Sequence, residues 1–493
     1  MKKLNTLLIP LLVCSLFACT KDENNNDNKE QTTIDGEVFA PNETTVVNTG
    51  KNLVLTFKDE SQSIEITTND TVAGTYEITT QSLKTATLLA NLVYTDGTTN
   101  YSGNSGSVYV TYNTEGAISG TYSATVVSED NIELEISSGA FSELDVEPEE
   151  TDTIIPVTEA SVNDTLELCY SNFSSFIEFS YLFDAVYSNQ VSALGSTWDD
   201  IYNHTQNPTN GKVARIWIEA WKIILETNFI IENVEDVITD EESKNLLIAQ
   251  AKSLRAYSFF TLLSWFGELP VYLNYQNEQA GRESESVVLA QIKSDVEDAI
   301  EYLPLTWSDS ENYKVTKSFA KGLLCRVYMQ QQQYSDFMEL AQKIINSGNY
   351  SLSSSIDNFS RDNSEMYWGF EQTGDEEFNT FFAKGSYVPV IRYTETLLSY
   401  SESALHTGQQ TSSLATINML KSRRGEASIA EINVDVIYEQ WKTEMQFEGN
   451  IFYTMKRFGK DLSELQIQEY QEQLPIPQSV LYSNTLMTQN MGY

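Results

Sequence analysis

The stretch Ala251–Pro270, AKSLRAYSFFTLLSWFGELP, constrains the fold of this chain more than any other segment. Small residues recur in it and just before it among leucines and phenylalanines, so the predicted helix is apolar on more than one face. We expect such a helix to lie buried between close neighbours. Gly267 can take a conformation that ends a helix, and Pro270 cannot continue one. The segment therefore predicts a core helix that ends near Gly267.

The composition excludes several classes of function. A chain of 493 residues is expected to hold more than one domain. With 70 acidic and 30 basic residues, the net charge of −40 argues against nucleic-acid binding, which needs a basic face. The two histidines, His204 and His406, argue against a histidine triad or a multi-histidine zinc site. We predict no cofactor and no metal site. The composition leaves undecided whether a calcium ion is bound.

The amino terminus predicts a secretion signal and a membrane anchor. Met1–Ala18 has two lysines and then an apolar run too short to span a membrane, which is typical of a secretory signal peptide. Leu16–Cys19 resembles a bacterial lipobox, which implies that Cys19 becomes an acylated, palmitate-carrying first residue. The alternative is an ordinary signal peptide with an incidental cysteine. Residues 19–33 are polar and predict a flexible tether.

Residues 34–146 differ in composition from the rest of the chain, because they contain no arginine, histidine or tryptophan. Apolar and polar residues alternate over short runs, for example in Leu53–Phe57 and Ile132–Ile136. This pattern predicts antiparallel strands with one buried face. We expect seven or eight strands in a small all-β sandwich or barrel-like domain. Turns are expected at Asp96–Gly97 and Glu115–Gly116.

This β domain is either a glycan- or partner-binding module or a spacer. Gly116–Leu144 resembles a small β domain found in Bacteroidetes lipoproteins, and the resemblance does not imply a role for it. Stacking on a sugar uses aromatic planes, and the domain has no tryptophan. We therefore favour the spacer or accessory role. The acidic, proline-containing residues 147–160 predict an interdomain linker.

Residues 161–493 have helical periodicity and contain all seven tryptophans. Ile216–Val237 is amphipathic and is expected to pair with Leu246–Phe266 as a helical hairpin. Lys317–Tyr350 spans 34 residues, the length of a tetratricopeptide repeat. Thr316 and Ser335 are its expected helix caps. A further pair is predicted at Ile391–Leu405 and Leu414–Arg424, and a strand at Glu365–Glu371. The fold class is therefore mainly α, a tetratricopeptide-like solenoid preceded by the β domain.

Two of the four cysteines, Cys169 and Cys325, fall in this helical part. They stand in apolar helical contexts, where thiols are more often separate buried residues than disulfide partners. We expect them to be separate, with a single disulfide as the alternative.

Three motifs of this part closely resemble segments of SusD/RagB-like proteins. The core-helix stretch matches the pattern A-x-x-L-R-A-x-x-[YF]-F-x-L-x-x-x-F-G-x-x-P, and Leu474–Tyr493 resembles the terminal PIP…N…QNPGY. Trp441–Lys460 resembles ER-x-x-E-x-x-FEG-x-R-[WF]-x-D-L-[KR]-R-x-G, with Trp441 and Thr454 among its departures. These departures concern internal ion pairs rather than the fold. The matching residues include Ala251, Leu254, Arg255, Ala256, Phe260, Phe266, Gly267, Pro270, Glu444, Phe447, Glu448, Gly449, Phe452, Lys456, Arg457 and Gly459. Trp217–Asn228 also resembles the first repeat helix of this family, through Trp221, Ile224 and Asn228.

The resemblance implies an outer-membrane nutrient-binding lipoprotein of Bacteroidetes that is not an enzyme. Members of this family bind oligosaccharides, or in some cases peptides, and present them to a SusC-like, TonB-dependent transporter of the outer membrane. Acyl chains hold them to the outer membrane. The alternative is a surface peptide- or protein-binding lipoprotein with a structural lid role and no sugar binding. An enzyme would need a convergent pair of buried carboxylates in a cleft.

Sugar capture needs aromatic planes together with polar groups that reach hydroxyls. We expect these in irregular segments, because Trp217, Trp221, Trp265 and Trp441 stand on predicted helices and are assigned to the core. The ligand-binding candidates lie in two polar loops, Ser196–Gly211 and Leu305–Lys314. They are Trp198, Tyr202, Asn203, Trp307 and Tyr313.

Overall fold

The computed structural model describes residues 32–48, 52–59, 61–78, 89–97, 99–112, 117–128, 132–144, 146–148, 157–191, 195–275, 280–354, 359–382 and 384–493. The predicted signal peptide and Cys19 lie outside these residues, as do most of the tether and the turn at Glu115–Gly116. The chain forms two compact units. The first holds the described residues up to Val157 together with Gln478–Thr485, and the second holds the described residues of Thr158–Pro477 and Leu486–Tyr493.

The first unit is built on a single mixed sheet. In this sheet the strand order is β11-β3-β4-β5-β7-β6-β8-β9-β10-β1-β2, and all neighbours are antiparallel except β11–β3 and β6–β7. The strands are β1 (Thr33–Ile34), β2 (Glu37–Val38), β3 (Glu43–Asn48), β4 (Leu53–Lys58), β5 (Ser63–Thr68), β6 (Gly74–Ile78), β7 (Leu89–Thr95), β8 (Asn100–Tyr112), β9 (Ile118–Ser128), β10 (Glu133–Leu144) and β11 (Glu147–Pro148).

The sheet curls around one apolar core as a half-barrel. Phe57 on β4 packs against Tyr122 on β9 at a ring-centroid distance of 5.0 Å, although four strands separate β4 from β9 in the sheet. The alternating residues of β4, β5, β8 and β9 point into this core, as the sequence predicts. Ile132 is an exception, since it precedes β10 and is 52% exposed. The barrel-like alternative is therefore nearer to the structure than two packed sheets.

The second unit is mainly helical, with one two-stranded sheet. The helices are α1 (Glu159–Tyr187), α2 (Asp199–Tyr202), α3 (Gly211–Val237), α4 (Glu241–Phe266), α5 (Glu285–Tyr302), α6 (Lys317–Gln330), α7 (Tyr334–Asn346), α8 (Glu376–Phe381), α9 (Tyr393–His406), α10 (Gln410–Arg423), α11 (Val434–Met445), α12 (Ile451–Phe458) and α13 (Asp461–Leu465), with α14 (Gln478–Ser483) belonging to the first unit. The hairpin strands are β12 (Met366–Glu371) and β13 (Tyr387–Arg392).

The predicted core helix is confirmed as α4. Nearly every residue from Ala249 to Phe266 is buried, and the helix packs against α3 and α5. It ends at Phe266, where Gly267 has a φ of 74° and its N–H donates to the Leu263 carbonyl. The expected pairing of the helix over Ile216–Val237 with this helix is also present, since α3 and α4 are packing neighbours.

Several predicted boundaries are wrong in detail. Thr316 caps α6 as expected, but α7 begins at Tyr334, so Ser335 lies inside the helix and does not cap it. Ile391 lies in strand β13 instead of starting a helix, because it pairs with Trp368 across the β12–β13 hairpin. The helical periodicity also predicts a single helical domain over all of residues 161–493. Gln478–Thr485 instead belongs to the first unit, where α14 packs against β8.

Two of the sequence motifs meet in the second unit. The Asn490 carboxamide donates to the carbonyls of Phe266 and Leu474, at 2.9 and 2.7 Å. Arg282 donates to the Phe266 carbonyl and to Asn490 Oδ1, at 3.2 and 2.6 Å. The end of α4 is thus hydrogen-bonded to the carboxyl-terminal QNMGY segment. The motif residues at both places are structural.

The two cysteines of the helical part and the lengths of its helices can also be examined in the structure. Cys169 and Cys325 are separate, buried thiols, as the sequence predicts. Within the part of the chain that the structure describes, none of the helices is long and apolar enough to cross a membrane.

Candidate functional site

The first candidate loop does not offer a tryptophan face. Trp198 closes a short 3-10 turn, which places its ring against Phe179 and Phe183 of α1, and only 1% of the residue is exposed. Lys212 Nζ lies 4.1 Å from the ring centroid. A sugar cannot stack on Trp198 without displacing these neighbours. We therefore remove Trp198 from the proposed ligand contacts.

The other two candidates of this loop remain at the surface. Tyr202 is partly exposed at the end of α2. Asn203 is exposed, and its side-chain amide donates to the Asp199 carbonyl at 2.8 Å. Without a flat indole beside them, these two residues form a polar surface rather than an aromatic platform.

The second loop, between α5 and α6, keeps both of its aromatic residues at the surface. Trp307 and Tyr313 are partly exposed, and we call this pair the aromatic platform. The Trp307 indole N–H donates to the Val315 carbonyl at 2.8 Å, and the Tyr313 hydroxyl donates to Glu167 at 2.6 Å. Hydrogen bonds therefore fix both rings while leaving part of each accessible.

Tyr313 is also held from below, and one lysine joins the two rings. The Tyr313 ring packs edge-on against Tyr170 at 5.5 Å, and its carbonyl accepts a hydrogen bond from the Trp368 indole at 3.0 Å. Lys314 Nζ lies 5.2 Å from the Trp307 ring centroid and 5.8 Å from that of Tyr313. The platform is thus a surface feature supported by buried residues, as a pre-organised binding site requires.

A groove of about 360 Å³ is another candidate site of the helical unit, and its volume lies within the range of small-molecule sites. It lies where the end of α4 meets the carboxyl terminus, and its lining includes Glu268, Arg282, Gln473 and Met491. None of its lining residues is aromatic. The Arg282 guanidinium donates hydrogen bonds to three backbone carbonyls and to Asn490, all within this chain. The groove therefore matches sugar recognition less well than the platform.

The arginine of the core-helix motif is structural. Arg255 binds Asp295 through Nε and Nη2 at 2.8 and 2.7 Å, and its Nη1 donates to Asn228 Oδ1 at 2.7 Å. The Asn228 amide then donates to the Tyr272 and Asn274 carbonyls. These side chains connect α3, α4, α5 and the loop after α4, so they position the fold rather than bind a ligand.

A buried ion-pair network joins the β12–β13 hairpin to the carboxyl-terminal motif, despite the departures at Trp441 and Thr454. Arg392 binds Glu448 through Nε at 2.7 Å and Glu365 through Nη1 at 2.8 Å, and Lys384 binds Glu448 at 2.9 Å. Burial opposes ionisation of Glu448, but Arg392 and Lys384 hold its pKa below the usual value. Because Glu365 and Glu448 are paired with these cations, they do not form the free acid–base pair that an enzyme would need.

A second buried carboxylate also has a structural role. Asp184 on α1 accepts the backbone N–H groups of Ile451 and Phe452 at 3.1 and 2.9 Å, which completes the amino-terminal end of α12. Burial raises the pKa of Asp184 to about 6, against these two donors. Among the described residues, no group of three or more histidine, cysteine or acidic side chains is arranged to hold a metal ion.

Sequence reasoning missed most of this buried network. Glu448 lies in a motif, but Glu365 stands at the start of a predicted strand and Arg392 in a predicted helix, and neither pattern indicates an ion pair. The tryptophans assigned to the core, Trp217, Trp221, Trp265 and Trp441, are all buried, and so is Trp368 in β12.

Known families match nearly the whole chain. A model described as "Starch-binding associating with outer membrane" matches residues 144–329, and the SusD family model matches residues 305–473. A domain of unknown function (DUF6252) matches residues 26–145. The two SusD models together span the helical unit up to residue 473, and the chain belongs to the SusD/RagB family.

Curated relatives match over a limited part of the chain. A SusD-like protein of Formosa agariphila is 29% identical over 153 residues, which is 30% of each chain. A second SusD-like protein of the same organism is 24% identical over 193 residues, which is 36% of each chain. The matched segments thus span about a third of the length of these relatives.

Solved structures show the same fold over most of this chain. A laminarin-binding SusD-like protein has a TM-score of 0.60 at 20% identity, covering 68% of this chain and 100% of its own. Surface glycan-binding protein A from Bacteroides uniformis has a TM-score of 0.59 at 17% identity, covering 68% of this chain and 99% of its own. At these identities the likeness concerns the fold alone.

Proposed function

We propose that this protein is a non-enzymatic cell-surface lipoprotein that captures an oligosaccharide and presents it to a TonB-dependent, SusC-like transporter of the outer membrane. The observation that carries the proposal is the aromatic platform, in a chain of the SusD/RagB family. Trp307 and Tyr313 are partly exposed and fixed by hydrogen bonds, so little side-chain freedom is lost when a sugar ring stacks on them. Two structural neighbours are named for laminarin or glycan binding, which supports this ligand class.

The test measures oligosaccharide binding by the mature chain and by Trp307→Ala. Laminari-, malto- and cello-oligosaccharides are titrated and followed by calorimetry. We expect one series to bind, and Trp307→Ala to lower its affinity about tenfold or more, because an aromatic stacking surface is lost. Tyr275→Ala is the matched control: Tyr275 is 42% exposed in another loop, so its removal should leave the affinity unchanged.

One outcome would contradict the proposed function, and a second would contradict only the proposed site. A folded protein that binds none of the three series would turn attention to a peptide ligand or to a structural lid role. Binding that Trp307→Ala leaves intact would keep the glycan but move the site away from the platform, and Tyr202 and Asn203 would be tested next.

The arrangement of the whole chain belongs to the same proposal. Residues 1–18 are the signal peptide, and residues 19–33 are a tether whose acylated Cys19 holds the protein to the outer membrane. Residues 34–146 are an accessory domain, residues 147–160 a linker, and residues 161–477 and 486–493 the capture domain. Packing of α5 on α6 and of α6 on α7 supports a tetratricopeptide-like solenoid in that domain.

A further inference from the structure

We propose that the aromatic platform selects uncharged, hydroxyl-rich glycans and rejects anionic ones such as uronates; this inference rests on the proposed function. The charged groups around the platform carry the argument. Tyr313 donates to Glu167, and Ser308 donates to Glu311 at 2.9 Å. Asp309 lies exposed between them in the chain. We call these three carboxylates, Glu167, Asp309 and Glu311, the polar edge of the platform.

Lys314, which lies against both platform rings, does not offset these carboxylates towards solvent. Lys314 Nζ is paired with Glu311 at 2.9 Å, and the lysine side chain is 15% exposed while that of Glu311 is 43% exposed. Its ammonium also lies within 6 Å of both platform rings, as described above. The positive charge is thus turned towards the protein, and the negative charges face an incoming ligand.

Hydrogen-bond chemistry points to the same ligand class. An ionised carboxylate only accepts hydrogen bonds, and a sugar hydroxyl is a donor that can meet it. Such charge-assisted bonds are stronger than those between neutral groups. A uronate carboxylate has no proton to donate, so at this edge it meets like charge without a compensating bond. The net charge of −40 on the chain adds repulsion at longer range, within the screening length of the buffer.

The expected selectivity is about tenfold or more in affinity. Two unit charges 4 Å apart in water interact by roughly the free energy of a several-fold change in affinity, and a uronate unit on the platform faces more than one carboxylate. Because the effect is electrostatic, it should shrink as the ionic strength rises.

The experiment compares each neutral oligosaccharide series named above with the same series oxidised at C6 to the uronate, so that the backbone is identical. Binding is measured for the mature chain and for Glu167→Gln/Glu311→Gln, at low salt and in 0.5 M NaCl. Glutamine keeps an acceptor for the Tyr313 and Ser308 hydroxyls, so the platform should keep its geometry. We expect the oxidised form to bind at least about tenfold more weakly to the wild type. The difference should narrow in the double variant and at high salt.

The outcomes separate this inference from the function on which it rests. Equal or tighter binding of the oxidised form, with loss in Trp307→Ala, would overturn the selectivity and keep the glycan site. A difference that persists unchanged in the double variant would also overturn it, because these carboxylates would not be its cause. Trp307-dependent binding of a lysine-rich peptide in place of any glycan, or no glycan binding at all, would overturn both proposals.

Discussion

At the scale of single residues, the glycine of the FEG motif has a steric role that its sequence pattern does not reveal. Gly449 has a φ of 69°, and a Cβ at this position would overlap the Tyr181 ring. The Tyr181 hydroxyl donates to the Pro389 carbonyl at 2.9 Å, so the ring is not free to move away. Gly459, which ends α12, has a similar φ of 64° but no neighbour within 4 Å of such a Cβ.

These two glycines give a matched prediction. Gly449→Ala should destabilise the protein by roughly 3–5 kcal/mol, since a strained φ and a clash with a buried ring add together. Gly459→Ala should cost only about 1 kcal/mol, because the backbone strain acts alone. Urea unfolding followed by circular dichroism measures both changes. Equal losses for the two variants would show that the Tyr181 contact adds nothing.

Residue-scale prediction worked where periodicity fixes the environment. The tryptophans on predicted helices are buried, because a helix with apolar residues on several faces must pack on all of them. In the two polar loops, Trp198 and Trp307 are equal candidates for ligand contact as far as local pattern can tell. The structure separates them: a 3-10 turn inserts Trp198 between rings of α1, whereas Trp307 bonds to its own loop. The burial of Trp198 thus depends on Phe179 and Phe183, which lie in another element and cannot be read from the pattern of its own loop.

At the scale of elements, α4 is connected to α5 by two ion pairs of very different exposure. The Arg255–Asp295 pair is buried, with side chains 5% and 2% exposed. The Lys252–Asp298 pair, at 2.6 Å, has side chains 21% and 53% exposed. Since both pairs join the same two helices, they isolate the effect of burial on an ion pair.

We predict that Arg255→Met lowers the free energy of unfolding by roughly 3–5 kcal/mol, because Asp295 is left buried without its counter-charge. Asn228 would also lose its bond to Nη1. Lys252→Met should cost less than about 1 kcal/mol, since water solvates the exposed Asp298. Thermal and urea unfolding of the two variants test this. A loss for Lys252→Met as large as that for Arg255→Met would refute it.

The element boundaries show where sequence patterns stop. The helical periodicity of the sequence predicts α3, α4, α6 and α7, and Thr316, as a helix cap, predicts the start of α6. The start of α9 cannot be predicted in this way, because an apolar residue such as Ile391 fits a helix and a strand equally well. Its pairing with Trp368 across the hairpin, a contact between distant residues, decides for the strand.

At the scale of the whole molecule, the two units are not consecutive in the chain. Gln478–Thr485 leaves the helical part and joins the β unit, and Leu486–Tyr493 returns to the helical unit. Asn490 and Arg282 fix this returning segment to the end of α4. A domain boundary read from composition alone places one border near residue 150 and cannot register this excursion, because eight residues carry too little composition of their own.

Membrane attachment of the intact protein is predicted to depend on Cys19. In cells given labelled palmitate, the wild type should carry the label and sediment with membranes, since two acyl signals suffice for stable anchoring. Cys19→Ala should lose both the label and the membrane fraction. Cys14→Ala is the control, because Cys14 lies in the predicted signal peptide and should leave with it. Label retained in Cys19→Ala would refute acylation at this residue.

The sequence by itself determined the local and repetitive features of this protein: the strand alternation, the long helices, the buried helical tryptophans and the three family motifs. Each of these depends on spacing along the chain, which sequence displays directly. Tertiary structure alone decided which loop aromatics face solvent, why Gly449 must be glycine, and that α4 meets the carboxyl terminus. It also brought Glu365, Arg392 and Glu448 together in one buried network. These features depend on contacts between residues far apart in sequence, whose formation is set by the packing of the whole chain and not by any local pattern.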